Sequence, residues 1–363
     1  MTLFLLSFFL IYGLMQGYVI LKARAAFHFG PAVGIPLALF ALFMMLAPVG
    51  TRILERQGAD AVARVLSWGG YLWLAFMFLL VMALLSFDLY RGLTALAGLV
   101  ARKDLSGFVP GARVAFLVPL VFSFATTTYG YYEALHIRAE RVVIETDRLP
   151  EGVDRLKICQ ITDVHLGLLI REERLARMLD VVRKESPDML VSTGDLVDGP
   201  LDHLPGLLDQ FREIKPARGK YAVTGNHEFY VGLDAALAFT KEAGFEILRG
   251  ESRDVGGVLT IAGVDDPAAR GFGLRGRSDG EKEVLEGLPR DRFVLFLKHR
   301  PVVEEESLGL FDLQLSGHTH RGQIFPFHHI VRLYFPRESG LHDLRSEERR
   351  VGKECRSRWS PYH

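Results

Sequence analysis

The sequence predicts an α/β domain preceded by a four-helix transmembrane region, on three observations. The first 132 residues carry only 13 Asp, Glu, Lys and Arg, although 24% of the whole chain is charged. Within them, four windows (3–21, 31–50, 68–87 and 114–132) hold no formal charge. From residue 133 onward, short β-branched runs alternate with amphipathic stretches, the pattern of strands and helices stacked in layers.

Each uncharged window matches the ~20 residues that a hydrocarbon layer of about 30 Å requires. One such window alone could be a buried core helix, or the first a cleavable signal peptide, but four in succession are hard to bury in a soluble domain of this size. Trp68, Tyr71 and Trp73, and Tyr129, Tyr131 and Tyr132, suit the aromatic belts where water meets lipid. Residues 92–100 are too short to cross and are expected at the interface. Lys22, Arg24, Arg91, Arg102, Lys103 and Arg113 lie on one side of such a topology, and Arg52, Arg56, Arg64, Arg138 and Arg141 on the other. Six against five assigns no side to the C-terminal domain. The expectation is a multi-pass protein of the cell membrane with lipid as a partner, its spans within 1–135 and its second domain over 136–344.

In that second domain, residues 156–161, 189–192, 221–223, 259–264, 293–297 and 313–315 read as strands. Helices are expected over 171–186, where Leu175, Met178, Leu179 and Val182 fall at helical spacing, and over 201–214, 233–243 and 280–288. From Arg345 to His363 neither period is present, and the stretch resembles the in-frame translation of a sequencing adapter. It is expected to be a non-native tail, with the domain truncated near Leu344.

Composition narrows the chemistry. Two cysteines in 363 residues cannot build a cysteine-rich zinc cage or a disulfide framework, so a metal would be held by His, Asp, Glu or Asn. Cys159, within an apolar strand, reads as a small hydrophobe. Lys+Arg 43 balance Asp+Glu 43, which leaves no basic stripe for phosphate counterion release; no nucleic acid is expected as a partner.

The informative polar residues follow the strands. Asp163 and His165 come after the first, Asp195 and Asp198 after the second, and Asn226, His227 and Glu228 after the third; His299, then His318 and His320, follow the last two. In α/β sheets such loops converge at the carboxyl ends of the strands. On extended backbone the residues of Asp163-x-His165 and of His318-x-His320 would each share a face. Asp195 is placed to bridge two cations. Gly194, Gly225 and Gly317 precede the clusters, as expected where a Cβ would obstruct a tight turn. Mixed nitrogen and oxygen donors suit two divalent ions of Mn, Fe or Zn rather than Ca or Mg. Two such ions roughly 3.5–4 Å apart would generate hydroxide at neutral pH and hold the oxygens of an in-line phosphoryl displacement.

Taken together, Asp163-Val-His165, Gly194-Asp195-Leu-Val-Asp198, Gly225-Asn226-His227-Glu228, His299 and Gly317-His318-Thr-His320 resemble the calcineurin-like metallophosphoesterases, from about residue 156 to 327. The resemblance implies a four-layer α/β/β/α sandwich. It implies that Asp163, His165, Asp195 and His320 hold one metal, and Asp195, Asn226, His299 and His318 the second. His227 would instead meet the phosphoryl oxygen or protonate the leaving group. Asp198 is expected to fix the Gly-Asp loop by hydrogen bonding, and Glu228 to stay off the metals. Gly263-Val-Asp265-Asp266 and Gly322-Gln323-Ile324 look most like the family's membrane-associated bacterial branch, which includes UDP-2,3-diacylglucosamine hydrolases. Arg321 departs from the pattern, standing where many relatives have Gly.

The implied activity is a membrane-anchored, metal-dependent phosphoric ester hydrolase acting on a phosphoester or pyrophosphate, with a lipid-linked nucleotide as one substrate class. The other reading is a membrane-tethered binding or signalling module with the same fold and no turnover.

Overall fold

The computed structural model describes residues 2–199, 205–272, 280–324 and 326–344. The non-native tail expected from Arg345 onward lies outside the described residues. The chain forms two compact units: Met1–Ala139 with Leu166–Val181, and Glu140–His165 with the chain from Val182 onward.

The first unit is built on α1 (Thr2–Phe27), α2 (Pro31–Arg56), α3 (Asp60–Ala101) and α4 (Ala112–Leu135). All four are long and apolar enough to cross a membrane. Pro31 opens α2, where its missing N–H costs nothing. Tyr12 of α1, Met77, Leu80 and Leu84 of α3 and Phe116 of α4 pack as an internal core. Leu6, Leu10, Leu39, Phe43, Val121 and Phe124 are exposed, a surface suited to lipid rather than water. Asp88 pairs with Lys22 and accepts from the Tyr18 hydroxyl at 2.7 Å. Trp73 Nε1 donates to Gln16 at 3.2 Å. Residues 92–100, too short to cross by themselves, form the last turns of α3. The run Leu-Thr-Ala-Leu-Ala is rich in helix formers and contains no proline, so nothing stops the helix before Arg102, whose left-handed φ of 51° ends it. Segment 166–181 groups with these helices through Arg174, which donates to Ala134 O at 2.6 Å, and Arg171, 3.5 Å from Asp60.

The second unit contains two four-stranded sheets. In the first, β1 (Ile158–Ile161), β2 (Met189–Ser192), β3 (Lys220–Ala222) and β4 (Glu246–Ile247) are all parallel. In the second, β5 (Glu251–Val255) runs antiparallel to β6 (Leu259–Gly263), while β7 (Phe293–Leu297) and β8 (Leu313–Leu315) continue parallel to it. Between and after these strands the chain forms α5 (Glu172–Glu185), most of which groups with the first unit, and α6 (Pro205–Arg212), α7 (Asn226–Val231), α8 (Leu233–Glu242), α9 (Glu281–Glu286) and α10 (Phe327–Tyr334).

Strand alternation divides the side chains between layers. Met189, Val191, Tyr221 and Val223 from the first sheet meet Leu259, Ile261, Leu295 and Leu297 from the second in one core. The opposite residues of the second sheet, Ala262, Val294 and Phe296, pack with Leu285 of α9 and Phe311. Beyond the first sheet, Phe211 of α6 and Phe239 of α8 meet edge to face at 6.5 Å. Both faces of β2 and β7 are covered, which explains their apolar runs, Met-Leu-Val of β2 and Phe-Val-Leu-Phe-Leu of β7. The layering agrees with the expected α/β/β/α sandwich.

Most expected elements lie within a residue or two of their strand or helix. The exceptions are β4, β5, α7 and α10, none of which the pattern announces, and the helix expected over 201–214, whose first residues lie outside the described residues.

Candidate metal centre

Every sequence-predicted site residue follows the carboxyl end of a strand: β1, β2, β3, β7 or β8. The segments that carry them are not extended. Asp163, His165, Asp195, His318 and His320 all take left-handed φ, between 47° and 75°. The alternate-face argument for the Asp-x-His and His-x-His pairs is therefore corrected: sharp left-handed bends, rather than a strand pleat, aim both members inward. Five non-glycine residues in a sparsely populated region mark backbone strain held by surrounding hydrogen bonds. Asp163 N donates to Gly194 O at 3.1 Å, His165 N to Asp195 O at 3.0 Å, and His318 N to the Asp163 carboxylate at 3.0 Å.

Among the described residues, three groups of side chains converge closely enough to hold an ion: Asp163, His165 and His320; His165, Asp195 and His227; and Asp195, His299 and His318. In the first, His320 Nε2 lies 3.2 Å from Asp163 Oδ1 and 3.2 Å from His165 Nε2. In the last, His299 Nε2 stands 3.1 Å from Asp195 Oδ2 and 3.2 Å from His318 Nδ1. His299 Nδ1 donates to Thr193 O at 2.8 Å, which leaves Nε2 as the ring's free donor atom. Asn226 is buried, and its Oδ1 has no hydrogen-bond partner among the described residues; the same is true of His165 Nδ1. Buried acceptors without partners, beside facing imidazoles and carboxylates, are what a cation site requires.

The electrostatics agree. Burial would raise Asp163, but hydrogen bonds from His320 and Thr162 outweigh it and hold the carboxyl below its ordinary range. Asp195 is likewise lowered despite burial, chiefly through His299. Burial, then the charges of His299 and Arg300, bring His318 down to about 4, so it is neutral and able to ligate. His299 goes up to about 9, because the Asp195 carboxylate overcomes its burial; a divalent cation would take the place of that proton.

His227 stands at the mouth. Its Nδ1 is 2.5 Å from Asp198 Oδ1 and its backbone N–H donates to Asp195 Oδ1 at 2.9 Å. Burial would lower this imidazole, but the Asp198 hydrogen bond and the neighbouring carboxylates raise it. Asp198 therefore orients His227, where the sequence reading gave it only a loop-fixing role. Glu228 is the residue whose part was missed. Its carboxylate accepts from the backbone N–H of Asp195, Leu196, Val197 and Gly225 at 3.0, 2.7, 3.3 and 2.7 Å, tying the β2 loop to the start of α7. Its place three residues after Gly225 is a capping-box spacing, a signal available in the sequence. Gly225 and Gly317 admit no side chain: a Cβ on the first would overlap the Asp195 carboxylate, and on the second Thr162 and Asp163. Arg321 takes φ of 52°, a left-handed conformation that Gly adopts without strain, and its guanidinium pairs with Glu140 at 2.8 Å.

Sheets of this topology, with His, Asp and Asn side chains gathered at the strand ends, make this an α/β protein with a candidate metal centre. The family model of calcineurin-like phosphoesterases matches residues 156–322. An uncharacterized metallophosphoesterase of Aquifex aeolicus is 42% identical over 217 residues, 60% of this chain and 82% of that protein. One from Helicobacter pylori strain J99 is 32% identical over 241 residues, covering 64% and 60% of the two chains. A zebrafish (Danio rerio) transmembrane protein with metallophosphoesterase domain is 28% identical over 237 residues, 62% of this chain and 54% of that protein. The chain thus spans little more than half the length of the last two relatives. It belongs to the calcineurin-like metallophosphoesterase family, whose members are phosphoric ester hydrolases that bind divalent metals.

Proposed function

We propose that the chain is a membrane-anchored phosphoesterase with a dinuclear metal centre that hydrolyses a phosphoester or pyrophosphate bond. The observation that carries this is the double membership of Asp195, which groups with His165 and His227 and again with His299 and His318. In this reading Asp163, His165, Asp195 and His320 hold one ion, and Asp195, Asn226, His299 and His318 the other. The donor set suits Mn, Fe or Zn. When bound, two such ions neutralise phosphoryl oxygens and make water a nucleophile at neutral pH.

The chain's own groups do the rest. With Nδ1 committed to Asp198, His227 presents Nε2 to the substrate, to donate a hydrogen bond to a phosphoryl oxygen and a proton to the departing oxygen. Glu228 fixes the Asp195 backbone, and Thr193 O fixes the His299 ring. The four apolar helices support a multi-pass location in the cell membrane, where a lipid-linked nucleotide such as UDP-2,3-diacylglucosamine would be concentrated at the protein.

The test is hydrolysis of bis(p-nitrophenyl) phosphate and of UDP-2,3-diacylglucosamine by the detergent-solubilised chain, with Mn, Fe and Zn supplied separately and His227→Ala as control. Turnover of the lipid nucleotide that collapses in the variant supports the full reading. Turnover of the chromogenic ester alone removes the lipid assignment. No turnover with any metal favours a silent binding module.

A further inference from the structure

The loop after β6 carries two adjacent carboxylates, each clamping an arginine. Asp265 holds Arg249 through contacts of 2.9 and 3.1 Å, and Asp266 holds Arg300, accepting from Nε at 2.7 Å and Nη2 at 2.9 Å. Asp266 is fully buried as a side chain, whereas that of Arg300 is 30% exposed. The anchor is rigid. Asp266 Oδ1 also accepts from Ala268 N at 2.8 Å, and Thr224 Oγ1 bridges the pair, donating to Asp265 at 2.9 Å and accepting from Asp266 N at 3.2 Å.

Arg300 directly follows His299, so its guanidinium leaves the same strand end as a candidate metal ligand. Besides the Asp266 hydrogen bonds, the Asp195 carboxylate favours its charged form, and its own charge helps to lower His318. Tyr230 is 60% exposed and its ring lies 5.5 Å from that of His227. Only one edge of the guanidinium is engaged by Asp266; Nη1 makes no hydrogen bond among the described residues.

A fixed, forked cation next in sequence to a candidate metal ligand, with Nη1 unengaged among the described residues, has the chemistry of an anion clamp. The reacting phosphoryl group already faces His227 and the metal donors. We propose that Arg300, set in place by Asp266, binds a second, non-reacting phosphate, so that the site takes pyrophosphate-linked substrates in preference to esters with one phosphorus. This rests on the hydrolase reading for the position of the reacting group, and it names the substrate class within that reading.

The test uses the full chain in detergent, loaded with Mn, and two ligands that share a uridine: UDP-glucose with two phosphoryl groups and UMP with one. Affinities are read by calorimetry for the native chain, Arg300→Gln and Arg300→Lys, with metal content and melting temperature measured alongside. Loss of a charge-assisted bidentate contact should weaken UDP-glucose roughly 10- to 100-fold in Arg300→Gln and leave UMP within about threefold. If Arg300→Gln melts early, Arg300→Lys keeps a charge against Asp266 while losing the fork, and should show the same selective loss. Equal weakening of both ligands, no weakening of either, or a native chain that does not prefer UDP-glucose overturns the proposal. A native chain that binds UDP-glucose through Arg300 but hydrolyses nothing would retain the clamp and reject the hydrolase.

Discussion

The backbone N–H of Asp195 donates to Glu228 Oε2 at 3.0 Å, so the carboxylate shared by two candidate metal groups is held by a residue that touches neither. Glu228 accepts three further N–H groups and is buried, with its carboxyl raised by that burial. Glu228→Ala would strand four buried donors and should cost at least about 3 kcal/mol, since each unsatisfied group costs roughly 1–3. A thermal melt checks this; an unchanged melting temperature would remove the anchoring role. Glu228→Gln, which preserves the shape and an acceptor, should lose less.

Asp195→Ala should empty both metal positions together, because its carboxylate stands at 3.1 Å from His299 and 3.8 Å from His165. Elemental analysis of the purified variant reads the stoichiometry directly. Retention of one full equivalent would show that Asp195 does not bridge, and hydrolysis should fall at least about 100-fold in step with metal loss.

His227→Ala should behave differently. Metal content is expected to hold while kcat drops roughly 10²- to 10⁴-fold, the usual contribution of a positioned acid. Asp198→Asn, which removes the charge beside His227 Nδ1, should lie between the variant and the native chain. Metal loss in His227→Ala would instead make this imidazole a ligand.

Gly225→Ala places a methyl group in the space of the Asp195 carboxylate, and Gly317→Ala in that of Thr162 and Asp163. Each should destabilise by about 1–3 kcal/mol, the range of overpacking, with reduced metal affinity. Metal titration against the melting curve separates the two effects, and native-like affinity in both variants would contradict the close packing.

Lys220 supplies a pH signature away from the site. Its Nζ donates to Phe211 O at 2.7 Å and Ala243 O at 2.6 Å, and burial, then the charge of Lys215, lowers it from 10.5 to about 8. Between those values the unfolded chain binds more protons than the folded one, so stability should rise as pH climbs from about 8 to 10.5 and stay level with respect to this group below 8. Lys220→Met should flatten the rise, as measured by melting temperature against pH.

Much of this was legible in the sequence because the strongest signals are local. Continuous apolar runs located β2 and β7, and uncharged windows located the four long helices, since burial on both faces and lipid contact each demand apolar side chains without interruption. The positions of Asp163, His165, Asp195, Asn226, His299, His318 and His320 after strand ends were readable for the same reason. What escaped depends on contacts distant in sequence or on backbone shape. Asp198 meets His227 across 29 residues, and Arg300 meets Asp266 across 34; neither pairing leaves a periodic trace. The left-handed φ of Asp163 and His318 is imposed by neighbouring loops, and side-chain patterns do not encode it. Strand β4 has only two residues, too few for alternation to register.

The unbroken course of α3 has a mechanical consequence. At 1.5 Å per residue its 42 residues make a rod of roughly 63 Å, about twice the thickness of a bilayer's hydrocarbon layer. Tilting by as much as 40° shortens its projection only to about 48 Å. In a membrane, a third or more of this helix must stand clear of the acyl chains. The segment that follows folds back along this rod: the Tyr90 hydroxyl donates to Phe108 O at 3.0 Å, so the chain retraces the last turns of α3 before it enters α4.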